Sequence, residues 1–340
     1  MPLHRLTQIV MGVPNVEETA SYYRDFGLTA ESGTGSGSGS DSDSDSGSGS
    51  GSGDRAPALA PTRGTVLSTV DGGEQLRIVP SARRRLVELG VGADDPDDLD
   101  RVAAALTRLE VPVQRTPTEV AAVDPGTEVL VRVGIAPRYR QAATPFPPYN
   151  APGAETRRGE RAPGILRDTP VRPRKLGHVV LGSTDQAFSQ RFFQEGVGFK
   201  VSDTVPGLAA FMRCSSDHHN VLVQQAPVAF LHHTSWQVDD VDEIGRGASA
   251  MLEADPDRHT WGLGRHFIGS NFFWYLKDPA GTFSEYYSDL DCIVDDALWK
   301  PGVWEGAKAL WAWGPPPPPS FLAPEDLGAL MTGAHDSPAK

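Results

Sequence analysis

Apolar residues along this chain fall into short alternating runs separated by amphipathic stretches, and the same succession occurs twice. "LTQIVMGVPNVEETASYYRDFGLTAE" at 6–31 parallels "LGHVVLGSTDQAFSQRFFQEGVGFKVS" at 176–202. Each reads as a strand, a turn, an amphipathic helix and a glycine before the next strand. "GADDPDDLDRVAAALTRLEVPV" at 92–113 parallels "VDDVDEIGRGASAMLEADPD" at 238–257, an acidic helix start followed by helical periodicity. "VDPGTEVLVRV" at 123–133 parallels "KDPAGTFSEYYSD" at 277–289, a turn feeding a strand. The pattern predicts an α+β protein of duplicated βαβββ modules with curved mixed sheets, since one copy alone would leave a sheet face uncovered.

Composition sets the boundaries. Residues 33–54 hold only Gly, Ser, Asp and Thr, so an insertion in the first module (1–134) is expected to be disordered. Residues 135–175 are dense in Pro, Gly and Arg and read as a linker. The second module follows at 176–295, and a tail occupies 296–340, with three tryptophans and a proline run in the stretch from residue 301 to 322.

A formal charge of −13 argues against a nucleic-acid partner, because phosphate binding draws on clustered Lys and Arg. No run approaches the roughly 20 apolar residues that cross a bilayer, and the N-terminus lacks the features of a signal peptide, so a cytoplasmic location without membrane contact is expected. Cys214 and Cys292 are too few for a disulfide framework and read as packed thiols.

Polar residues intrude on strands of the second module where the apolar pattern predicts inward positions: His178 in "KLGHVVLGS", His233 in "FLHHTSWQV" and Glu285 in "GTFSEYYSD". A single strand histidine is ordinarily a hydrogen-bonded core residue. Two imidazoles and a carboxylate on separate strands are, however, the set that holds Fe(II) on one face and leaves open positions. The first module places Gln8, Glu88 and about Leu130 at these positions, so the fold itself does not require the triad. His218, His219, His266 and Tyr275 concentrate on the same module, where a metal site needs orienting and acid–base groups. Alternation along a strand lets only one of the neighbours His232 and His233 face the site, the other pointing to the opposite side.

The stretch "GRHFIGSNFFWYLKDPAGTFSEYYSD" resembles the signature of the extradiol ring-cleaving dioxygenases of the vicinal oxygen chelate superfamily. The match runs through His266, Tyr275, Asp278, Pro279, Gly281 and Glu285, with Trp274 as a departure. It is strong over about 175–295 and weak over the first half.

The resemblance implies Fe(II), with Mn(II) as the alternative ion, held by His178, His233 and Glu285. It implies His219 as the acid–base residue, with His218 one register away, and His266 and Tyr275 as hydrogen-bonding groups to substrate. A catechol and O2 would then give a yellow semialdehyde-type product, and activity should fall below about pH 6 as the histidines protonate. A homo-oligomer is expected. The tail could form a lid around Trp304 or Trp311, or be a polyproline spacer. The competing readings are an isomerase or lyase on the same scaffold with another divalent metal, and a non-catalytic protein that binds aromatic ligands.

Overall fold

The computed structural model describes residues 3–30, 64–138 and 140–333, so the insertion expected at 33–54 lies outside the described residues. The first half contains β1 (Leu3–Val13), α1 (Val16–Asp25), β2 (Thr29–Ala30), β3 (Thr65–Thr69), β4 (Gly73–Pro80), β5 (Arg85–Ala93), α2 (Pro96–Arg108), β6 (Gln114–Thr116), β7 (Glu119–Asp124) and β8 (Val129–Ile135). The second contains β9 (Lys175–Ser183), α4 (Gln186–Arg191), β10 (Lys200–Val205), β11 (Ala209–Arg213), β12 (Val221–Gln225), β13 (Phe230–Gln237), α5 (Val241–Ala254), β14 (His259–Arg265), β15 (Phe272–Lys277) and β16 (Phe283–Ser288). A short α3 (Pro163–Leu166) lies between the halves, and β17 (Gly302–Val303), α6 (Pro319–Leu322) and α7 (Leu327–Thr332) belong to the tail.

The first sheet runs β2-β3-β4-β1-β5-β8-β7-β6, and the second runs β14-β15-β16-β13-β9-β12-β11-β10-β17. Read from opposite ends the two orders coincide, with β17 added. Each half is therefore two βαβββ units joined side by side, which is finer than the single strand–helix–strands repeat visible in the sequence. The long helices follow from their sequences: Asp95 and Asp240 cap the backbone N–H groups of Asp98 and Glu243, and acidic residues fill both first turns.

The halves share one apolar core. Helix α1 of the first half lies on the second sheet: the Phe26 ring stacks on Tyr286 at 3.8 Å between centroids, Tyr23 Oη is 3.1 Å from Thr234 Oγ1, and Tyr22 Oη is 2.5 Å from Ser284 Oγ. Strand alternation then sends His233, Ser235 and Glu285 to the opposite face, away from α1. The site is built on that face, against a firmly backed sheet. Cys214 is buried, as a packed thiol would be, whereas Cys292 is exposed in the segment after β16. None of the described helices is long and apolar enough to cross a membrane.

Candidate metal centre

Cross-strand register assembles the site. Ser235 of β13 pairs with His178 of β9 on one side and Glu285 of β16 on the other, and Glu285 pairs with Tyr275 of β15. One rung across the sheet thus carries His178, Ser235, Glu285 and Tyr275. His233 stands two residues before Ser235 on the same strand.

One ligand atom from each of His178, His233 and Glu285 lies within 4.8 Å of the others, close enough for a single ion to touch all three. His178 Nε2 is 3.2 Å and His233 Nε2 is 3.8 Å from Glu285 Oε2. All three side chains are buried, yet His233 Nε2 and Glu285 Oε2 have no hydrogen-bond partner. Unpartnered polar atoms in a dry site are costly, and a divalent cation among them would satisfy both. The residues fit the ion. Burial alone would raise the Glu285 carboxyl, but His178, together with His266 and Ser235, outweighs it and holds that carboxyl below the usual range. Burial, followed by the neighbouring imidazoles, pushes His233 well down, towards the neutral form that ligates.

The structure departs from simple alternation at His232. The ladder between β13 and β9 shifts register between Leu231 and His233, so His232 is the extra residue of a β-bulge. Both rings come to the same side, with Nδ1 of His232 2.8 Å from Nδ1 of His233. His232 Nε2 is 2.7 Å from the Phe321 carbonyl oxygen, which can only accept, so Nε2 carries the proton. Neutral His232 then accepts from His233 Nδ1–H, leaving the lone pair of His233 on Nε2, the atom that faces Glu285. Burial holds His232 neutral, with its pKa lowered to about 4.

The remaining sequence-predicted residues surround this clamp. The His219 ring lies 4.1 Å from that of His178, while His218 points away, against Trp299 at 5.2 Å. His266 Nδ1 is 2.5 Å from the Leu310 carbonyl oxygen, and its Nε2 accepts from Tyr275 Oη at 2.9 Å. Burial, then the charge of Glu285, drives Tyr275 far above the usual phenol range, so it keeps its proton. Burial also lowers His219 and His266.

Sequence reasoning missed Asn271, whose Nδ2 donates to Glu285 Oε1 at 3.1 Å, and Phe321, whose ring lies 4.6 Å from Tyr275 and 6.1 Å from His233. Asn271 sits inside the quoted signature, so its position was available. Phe321 had no such signal, because a tail residue meets the site only through the fold.

The tail passes from one edge of the second sheet to the other. β17 pairs with β10, and Trp313 bridges Arg265 at the end of β14. Between them, Trp304 meets Phe267 at 4.8 Å and Trp311 packs against the cluster of Trp261, Phe273, Tyr275, Phe283 and Phe321. Arg84 of the first half ties the tail down, bonding Asp326 at 2.6 Å and the Leu231 carbonyl.

The internal comparison with the first half needs one correction. Glu88 pairs with Leu130 as His233 pairs with Phe283, so the counterpart of Glu285 is Arg132, two residues beyond the expected Leu130. Arg132 Nε bonds Glu88 Oε2 at 2.5 Å and Nη1 bonds Glu119 Oε1 at 2.8 Å. An ion pair stands where the second half has its ligands.

Residues 175–286 match the model of the Glyoxalase/Bleomycin resistance protein/Dioxygenase superfamily. Metapyrocatechase 2 of Cupriavidus necator is 32% identical over 261 residues, covering 72% of this chain and 77% of that protein. The chain belongs to the extradiol ring-cleaving dioxygenases. Another relative of this extradiol dioxygenase is the manganese-dependent 2,3-dihydroxybiphenyl 1,2-dioxygenase of Geobacillus genomosp. 3, 28% identical over 245 residues and covering 68% of this chain and 75% of that one. Among solved structures, the Mn(II)-bound glyoxalase from Novosphingobium aromaticivorans shares the fold with a TM-score of 0.67 at 22% identity, covering 97% of each chain.

Proposed function

We propose that this dioxygenase opens a catechol ring beside its diol, using O2 and a divalent iron or manganese ion held by His178, His233 and Glu285. The observation that carries the reading is the convergence of those three donors with His219 and the His266–Tyr275 pair around one buried point. When bound, the ion supplies a Lewis-acidic centre that gathers both diol oxygens and lets the electron-rich ring react with O2. Two imidazoles and one carboxylate suit Fe(II) and equally accept Mn(II), the metal named for one relative.

The side chains handle protons and orientation. His219, neutral through burial, takes a proton from a catechol hydroxyl and later returns it to an oxygen atom that came from O2, as the O–O bond breaks. Tyr275, kept protonated, turns its one O–H from His266 Nε2 to the substrate oxygen on its side, while the Leu310 carbonyl holds the His266 ring in place. The tail, docked through Trp311 and Phe321, acts as the lid that keeps water out. Apolar Phe146, Ile165 and Leu166, exposed on the 135–175 segment, support a homo-oligomer.

The test is anaerobic loading with Fe(II) or Mn(II), followed by O2 and a panel of catechols. A yellow semialdehyde-type product is expected from at least one. A metal-loaded protein that consumes no O2 with any of them rejects the reading.

A further inference from the structure

We propose that Asp203 and His218 are positioning residues that lock His219 in one tautomer, with the Nε2 lone pair turned to the bound catechol. The inference deepens the proposed function, since it rests on His219 as the acid–base residue.

Nδ1 of His218 lies 3.1 Å from Nδ1 of His219, and both rings are buried. Two imidazole nitrogens bond only when one carries the proton and the other the lone pair. Which is which follows from the far side of His218. Its Nε2 lies 3.4 Å from Asp203 Oδ2, close but without an aligned hydrogen bond, and the side-chain exposures are 0% and 5%.

The carboxylate is fixed by two donors: Gly302 N–H to Oδ1 at 2.6 Å and Trp304 Nε1–H to Oδ2 at 2.9 Å. It also sits just past a register shift between Val201 and Asp203, where a bulge re-aims the strand. The negative carboxylate nearest Nε2 favours the proton on that nitrogen by charge attraction, and a small turn of the ring would align the bond. Neutral His218 then offers its Nδ1 lone pair, His219 supplies the Nδ1 proton, and the His219 Nε2 is left as a base. Among the described residues nothing hydrogen-bonds that Nε2.

The second doublet repeats the logic. The Phe321 carbonyl sets His232, which sets His233 and frees Nε2 to ligate. In both doublets an outer histidine transmits an acceptor to the inner one. One inner nitrogen becomes a ligand, and the other a base. In both, the tail sets the outer histidine, once by the Phe321 carbonyl and once through Gly302 and Trp304. No proton need travel to Asp203, whose part is to choose the tautomer and hold the ring.

The test is 15N NMR of histidine-labelled, full-length, Zn(II)-loaded protein, with metal content and steady-state kinetics of the Fe(II) enzyme beside it. The wild type is expected to carry the His219 proton on Nδ1. His218→Asn keeps an acceptor oxygen where Nδ1 stood and should retain that tautomer and most of the activity. His218→Phe fills the space without an acceptor; it should shift His219 towards Nε2–H and lower kcat about 10- to 100-fold, with metal content unchanged. A wild-type His219 protonated on Nε2 overturns the inference and leaves the proposed reaction standing, as does equal loss of the tautomer in both variants, which would mark His218 as packing only. An Nδ1–H His219 in a protein that cleaves no catechol upholds the tautomer lock and removes the reaction instead.

Discussion

Arg132 Nε lies 2.5 Å from Glu88 Oε2, and these residues hold in the first sheet the register positions that Glu285 and His233 hold in the second. A guanidinium has no lone pair to give a metal, so this substitution converts a ligand position into an internal cation that neutralises Glu88 and Glu119. The duplicated scaffold thus carries one clamp and one ion pair at equivalent places.

Removing Glu88 leaves Arg132, 16% exposed, with Glu119 as its remaining ion-pair partner. Glu88→Ala should therefore lower folding stability by about 1–3 kcal/mol, measured from urea midpoints at constant slope. An unchanged midpoint would mean that the pair contributes nothing to the fold.

His232 touches no ligand atom that would bind the ion, yet it sets the tautomer of His233. His232→Leu should weaken metal binding about 10- to 100-fold in chelator competition while the protein stays folded. Affinity equal to wild type would show that His233 orients without its neighbour.

Tyr275→Phe removes one hydroxyl, bonded to His266 at 2.9 Å, and leaves the clamp intact. Metal content should be preserved and kcat should drop about 10²- to 10³-fold. Because burial holds the phenol far above its usual range, no alkaline limb below pH 10 should belong to this residue. A kcat within twofold of wild type would remove Tyr275 from the chemistry.

Burial favours the neutral imidazoles of His219, His233 and His266, so each releases its proton at a lower pH than an exposed histidine would. The acid limb of kcat/KM should accordingly lie below pH 6.5, with activity level from there towards pH 8. A midpoint at or above pH 7 in a stable, metal-loaded enzyme would contradict the electrostatics described.

Much of this arrangement could be read from the sequence because it is local. His178, His233 and Glu285 interrupt apolar strands, and the segment from His266 to Glu285 holds one half of the site within 20 residues. What escaped was non-local or hidden by periodicity. Leu130 and Arg132 lie on the same strand face, so a period of two cannot separate them, and only the ladder fixes the register. The bulge at His232 adds a residue to one strand and cancels the alternation that would have turned its ring away. The acceptors that set His232 and His266 are backbone carbonyls of Phe321 and Leu310, which no side-chain pattern encodes.

The measurement that bears most directly on the central claim is metal stoichiometry after Fe(II) loading and gel filtration, compared among wild type, His233→Ala and Glu88→Ala. One ion per chain is expected in wild type and Glu88→Ala, and none in His233→Ala. Retention of the ion by folded His233→Ala, or its loss from folded Glu88→Ala, would place the metal elsewhere and contradict the account.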